Sequence, residues 1–167
     1  ATTTVWAVGE VNSPSITSVA ATGNSREVKI GVEFQPGNGW SKGDVTGYEW
    51  AVAGSNVWQS LPTGGGTVTG STLTDGTETT IKVRVHVRKG GDGAESSAEA
   101  SGGSVTPFGP PAPPNVSCRP GGPGWVNCSW SNANDGGRST QLVLSGAAND
   151  TINNTRDGHL EFNPGEG

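Results

Sequence analysis

The sequence predicts an all-β chain. Three observations carry this: apolar residues alternate with polar ones at period two, Gly/Asn/Asp turns separate the runs, and no stretch of ten or more residues holds a 3.6-residue apolar stripe. The first clear run is Glu27-Val-Lys-Ile-Gly-Val-Glu-Phe34, with Val28, Ile30, Val32 and Phe34 on one face. The next is Tyr48-Glu-Trp-Ala-Val52, where Tyr48, Trp50 and Val52 share a face. The longest is Thr79-Thr-Ile-Lys-Val-Arg-Val-His-Val-Arg88, with Ile81, Val83, Val85 and Val87 inward and Lys82, Arg84, His86 and Arg88 outward. Such alternation is the mark of an antiparallel strand with one solvated face. Turns are expected at Gly37-Asn-Gly39, Gly64-Gly-Gly66, Asp75-Gly76 and Gly90-Gly-Asp-Gly93. With 28 Gly and 11 Pro in 167 residues and only 31% hydrophobic residues, a helical bundle is disfavoured.

An internal repeat divides the chain. Thr4-Val-Trp-Ala-Val-Gly-Glu-Val-Asn-Ser-Pro-Ser-Ile16 returns as Ser104-Val-Thr-Pro-Phe-Gly-Pro-Pro-Ala-Pro-Pro-Asn-Val116. Val5 matches Val105, Gly9 matches Gly109, Pro14 matches Pro114 and Ile16 matches Val116. Phe34 then corresponds to Trp130 and Tyr48 to Leu142, the loops having shortened. A period of about 100 residues filled with short strands predicts tandem β-sandwiches. The prolines of 107–114 exclude a central strand and favour extended polyproline geometry, so this stretch reads as a semi-rigid hinge.

These residues resemble the fibronectin type III family. Its pattern is a Pro-led first strand, a Trp closing the second, a Tyr in the third, and Leu-x-Pro-Gly-Thr-x-Tyr before the sixth. Pro14 to Ala20 resembles the first strand, Arg26 to Phe34 the second with Phe34 at the Trp position, and Val45 to Ala53 the third with Tyr48 kept. Leu73-Thr-Asp-Gly-Thr-Glu-Thr79 is similar to the turn, with Asp75 in place of Pro and Thr79 where the tyrosine is expected. Thr80 to Arg88 and Ala94 to Thr106 complete the set. The resemblance implies a fibronectin type III domain at 13–106, a hinge at 107–114 and a partial second domain at 115–167. Residues 1–12 resemble the terminal strand of a preceding module, or a linker, and are expected to pack on the first module rather than to pair with another chain's open edge. In the second module, strands are expected at Asn115 to Arg119, Trp125 to Trp130 and Thr140 to Ser145, with Trp130 as the family Trp. Leu160-Glu-Phe-Asn-Pro-Gly-Glu166 resembles the Leu-x-Pro-Gly turn with no last strands after it, so this module is expected to be incomplete.

Composition excludes several function classes. The net charge of −5, from 10 basic and 15 acidic residues, lacks the basic footprint of a duplex nucleic-acid binder. No run approaches the ~18 apolar residues of a membrane span, and none resembles a signal peptide. Met is absent even at position 1, as in a piece of a longer, membrane-anchored precursor. No carboxylate pair stands in a catalytic frame, and neither His86 nor His159 has a matched nucleophile, so a non-enzymatic chain without cofactor is expected. Cys118 and Cys128 are the only thiols. They lack Cys-x-x-Cys spacing, and zinc would need two further ligands, so a structural disulfide across neighbouring strands is expected. That places the chain outside the cytosol.

Candidate binding residues form two groups. Trp40 lies in a Gly-flanked loop with Lys42, facing the loop of Lys89 and Asp92. It is either an exposed anchor for a partner, with Lys42, Lys89 and Asp92 at the rim, or a cap on the sandwich end. The basic stripe Lys82, Arg84 and Arg88 is either an anionic ligand site or a solvated face paired with acids such as Glu49. Lys89-Gly-Gly-Asp92 has the wrong spacing for an adhesive Arg-Gly-Asp. Asn115, Asn127, Asn149 and Asn153 head Asn-x-Ser/Thr triplets, which matter only where the host glycosylates. The chain resembles fibronectin type III arrays on surface proteins of actinobacteria, of the bifidobacterial type. That resemblance implies an extracellular, cell-surface adhesion module that engages host proteins, including tumour necrosis factor. The alternative is a spacer in a secreted polysaccharide-degrading enzyme.

Overall fold

The computed structural model describes residues 7–90, 93–131, 135–138, 141–144, 150–153 and 158–162. The chain forms two compact units, Ala1–Pro107 and Phe108–Gly167. The first contains β1 (Ser15–Ala21), β2 (Glu27–Glu33), a 3-10 turn at Lys42–Asp44, β3 (Val45–Val52), β4 (Gln59–Leu61), β5 (Gly65–Thr69), β6 (Thr79–Arg88) and β7 (Glu95–Val105). All pairings are antiparallel, in one sheet of order β1-β2-β5 and another of order β4-β3-β6-β7.

The period-two pattern builds the core. In β6, Ile81, Val83, Val85 and Val87 are all at most 1% exposed, while their outward neighbours stay half in solvent. Each such aliphatic side chain contributes about 1.5–3 kcal/mol by leaving water. Val28, Ile30 and Val32 of β2 and Val68 of β5 face them from the other sheet, with Phe34, Tyr48, Trp50, Leu61, Leu73 and Val105 filling one shared cluster. Two antiparallel sheets around a single core form a β-sandwich. β1 lies against β7 and closes one flank. Gly103 sits there at φ +75°, and a Cβ would come within 2.5 Å of Val19, so a side chain is excluded by both backbone and space.

Polar side chains fix the turns. Asp75, at the position where the resemblance expects Pro, accepts hydrogen bonds from the Ser25 hydroxyl (2.5 Å) and the Arg26 backbone N–H (2.7 Å). Arg26 lies at φ +54°, a left-handed conformation unfavourable to a residue with a Cβ. The Asp75 carboxylate thus holds the β1–β2 turn from 49 residues away.

Residues 7–12, whose sequence resembles the end of a preceding module, form a strap on the first unit. Gly9 N–H donates to the Asn38 carbonyl (3.0 Å), Asn12 N–H to that of Pro36 (2.9 Å), and Val11 joins the core. Gly64-Gly-Gly66 is not wholly a turn, since Gly65 and Gly66 begin β5 opposite Gly31 and Ile30. Pro107 of the expected hinge is fully buried, and its carbonyl accepts from Gly76 N–H (2.8 Å) within the first unit.

In the second unit, β8 (Asn115–Gly122), β9 (Trp125–Ser131) and β12 (Gly158–Phe162) form an antiparallel sheet of order β12-β9-β8, and β10 (Gln141–Leu144) pairs with β11 (Asp150–Asn153). Gly158–Phe162 is therefore strand where the Leu160 turn was expected; residues 163–167 lie outside the described residues. Cys118 and Cys128 stand directly opposite in the β8–β9 ladder and are joined by a disulfide, with Cα atoms 4.0 Å apart. Phe108 stacks under the Arg138 guanidinium, and Gly109 N–H donates to the Gly136 carbonyl (2.8 Å), so the start of the expected hinge packs into this unit.

Asp75→Ala is expected to lower stability by about 1–2 kcal/mol through loss of both turn hydrogen bonds. Arg26→Gly, which relieves the left-handed backbone, should raise it by about 1 kcal/mol. Urea denaturation of the two variants checks both signs.

Candidate functional site

The outward side of β6 pairs with its neighbours residue by residue. Glu49 of β3 lies opposite Arg84, and on the other side Glu99 lies opposite Arg84, Ser97 opposite His86 and Glu95 opposite Arg88. Glu49 Oε2 accepts from Arg84 Nη2 (2.7 Å) and Nε (3.0 Å) and shares a 2.7 Å hydrogen bond with His86 Nε2. Arg84 Nη1 is also 3.7 Å from Glu99, and Arg88 pairs with Glu95. The hydrogen bond from His86, and then that from Arg84, hold the Glu49 carboxyl below the usual carboxylate range.

The expected basic stripe is therefore mostly neutralised. Lys82 differs. It faces Ala51 and Ser101 across the ladders, and among the described residues no carboxylate lies within ion-pair distance. Its Nζ is 4.5 Å from the centre of the Trp58 ring, and the Arg84 guanidinium is 4.2 Å from the same ring. Trp58, just before β4, is half-buried on this face and was not singled out in the sequence. Its only signal was a spacing of two from Ser60, in a strand too short to display alternation. Further along β6, Thr46, His86, Arg88, Glu95 and Ser97 line a shallow depression of about 520 Å3, where Gly47 opposite His86 supplies no side chain.

The Trp40 group is a structural joint. Trp40 is 7% exposed, and its Nε1 donates to the Gly9 carbonyl at 2.7 Å. The exposed-anchor expectation fails because residues 7–12 fold back over the loop that carries it. Asp44 accepts from Ser41 N–H (2.7 Å), Ser41 Oγ (2.9 Å) and Lys89 Nζ (2.5 Å). Lys89 foremost, and then the Ser41 backbone, keep the Asp44 carboxyl below its ordinary range. Lys89, expected at a binding rim, is instead mostly buried against Asp44 and 5.8 Å from the Trp40 ring. Lys42 is exposed on the 3-10 turn, and Asp92 lies outside the described residues.

The remaining sequence candidates are dispersed. His159 is exposed in β12 opposite Ser129. Asn115 is exposed at the start of β8, Asn127 is half-buried, Asn153 ends β11, and Asn149 lies outside the described residues. Among the described residues no three His, Cys, Asp or Glu side chains gather as a metal site, and no helix is long and apolar enough to cross a membrane.

Trp40→Phe removes the hydrogen bond to Gly9 and is expected to cost about 1 kcal/mol, whereas Trp40→Ala, which also empties the core, should cost about 3–5 kcal/mol. Thermal denaturation measures both. Glu49→Gln should cost about 1 kcal/mol near pH 7. Because Glu49 is depressed in the folded state, its stabilisation is present above the unfolded carboxylate range and lost as pH falls through the folded value. The difference between wild type and Glu49→Gln should therefore close on acidification, as followed by denaturation at a series of pH values.

No protein-family model and no curated protein matches this chain.

Proposed function

We propose that the chain is a non-enzymatic, extracellular protein-binding module of tandem fibronectin type III type, carried on a bacterial cell-surface protein and engaging a host protein through the outer face of the four-stranded sheet. One observation carries the reading: Trp58 lies against Lys82 and Arg84 on a face whose other charges are matched. An interface needs a large, preorganised anchor near its centre and few unpaired charges around it. Trp58 supplies the anchor, and Lys82 supplies the one cation of the stripe with no carboxylate partner among the described residues. The three-plus-four strand order and the shared core support the sandwich part of the reading. The Cys118–Cys128 disulfide supports an oxidising location.

Tumour necrosis factor is the probe of choice, since the resemblance names it. Trp58→Ala is expected to weaken binding by about 30-fold or more, the size of a hot-spot loss of about 2 kcal/mol. Lys82→Glu should weaken it further at low salt than at high salt. Surface plasmon resonance with both variants decides. Wild-type affinity in Trp58→Ala, with an unchanged circular dichroism spectrum, would remove the sheet face from the proposal. Absence of binding by the wild type would remove this partner.

A further inference from the structure

The disulfide of the second unit joins two unequal environments. Cys118 lies on β8, an edge strand in the order β12-β9-β8, and is exposed, as are all eight residues of that strand. Cys128 lies on the central strand β9 and is 7% exposed, with Leu160 of β12 opposite it on the other side. Thiol–disulfide exchange begins when a thiolate attacks one sulfur, in line with the bond that breaks, so access decides which sulfur reacts. In a directly opposed pair that bond runs across the strands. An approach to Cys118 Sγ therefore comes from beyond the open edge of the sheet, whereas an approach to Cys128 Sγ meets β12.

Apart from this bond, little fastens β8. Val116 is 56% exposed, and no side chain of the strand is buried, so it adds little to the apolar packing of its unit. Pro120 has no N–H to give to the ladder, and the register shifts between Pro120 and Gly122. What remains is the regular backbone pairing from Asn115 to Arg119.

We propose that Cys118 is a site of reversible S-thiolation by a small thiol, and that the modification unfastens β8 from β9. The thiolate of the small molecule bonds to Cys118 Sγ and the Cys118–Cys128 bond breaks. Its electron pair leaves on Cys128 Sγ, which takes up the proton that the small thiol gave up. One disulfide replaces another, so the step needs no oxidant or reductant beyond the thiol itself. The reverse exchange, with the Cys128 thiolate attacking Cys118 Sγ, releases the small thiol and restores the hairpin staple.

The test treats the full, oxidised chain with millimolar reduced glutathione in native buffer. Early samples are quenched in acid, which protonates the thiols and arrests exchange, and the adduct is located by fragment-ion mass. The glutathionyl group is expected on Cys118 in about tenfold or greater excess over Cys128, and it should form without denaturant. Hydrogen exchange in the adduct should be faster than in the oxidised chain across Asn115–Arg119, with β6 of the first unit unchanged. An equal split between the two cysteines, an excess on Cys128, or an adduct that forms only in urea overturns the site. Unchanged amide exchange in β8 of the adduct overturns the unfastening.

Discussion

The alternation of β6 is the constraint on which the first unit depends. A pleated strand sends successive side chains to opposite faces, so placing Ile81, Val83, Val85 and Val87 in the core forces Lys82, Arg84, His86 and Arg88 outward. A slip of one residue would bury four polar side chains and expose four aliphatic ones, at a cost far above the stability of a small domain. The charge ladder agrees with that register. Glu49 and Glu99 stand directly opposite Arg84, and Glu95 opposite Arg88, in the same ladder that buries the valines. Hydrophobic burial and charge pairing thus select one alignment. Burial supplies most of the energy, and the ion pairs supply a penalty for error.

Beyond the sheets, order at the ends of the sandwich comes from short polar side chains. With only 31% hydrophobic residues, the chain has little apolar surface to spare for its turns. Asp75 ties the β1–β2 turn to the segment before β6, Asp44 ties the 3-10 turn to Lys89, and Glu27 collects Thr22, Asn24 and Thr69. In each case a carboxylate accepts two or three hydrogen bonds, and for Asp44 and Glu27 these lower its pKa. The Trp40–Gly9 bond does the same work with an indole: it brings the strap of residues 7–12 over the loop and carries Val11 into the core.

How much of this was legible follows from what local pattern encodes. β2, β3 and β6 were visible because alternate residues face the core, β1 and β7 only through the family resemblance, and the Cys118–Cys128 pairing because two thiols flank one hairpin. β4 and β5 were not. Three residues cannot show a period, and Gly65 and Gly66 look like turn residues although tertiary pairing with Ile30 and Gly31 makes them strand. Trp40 was open between anchor and cap because its environment is set by Gly9, 31 residues earlier, which no local window contains. Trp58 was missed for the related reason that its partners Lys82 and Arg84 belong to a distant strand. Sequence periodicity shows which side of its own strand a residue takes. It does not show which other strand completes that side.

That distinction also governs recognition on this fold. A row of cations reads in sequence as an electrostatic surface, but each cation opposite a carboxylate has already spent its field on its neighbour, and exposed pairs of this kind contribute little to affinity. Steering and specificity then come from the departures from pairing. On the outer sheet face the departure is Lys82 beside Trp58, where the register offers only Ala51 and Ser101 across the ladders. It sits beside β4, a strand of only three residues. In a sandwich whose regular parts satisfy themselves, the irregular ones remain available to something else.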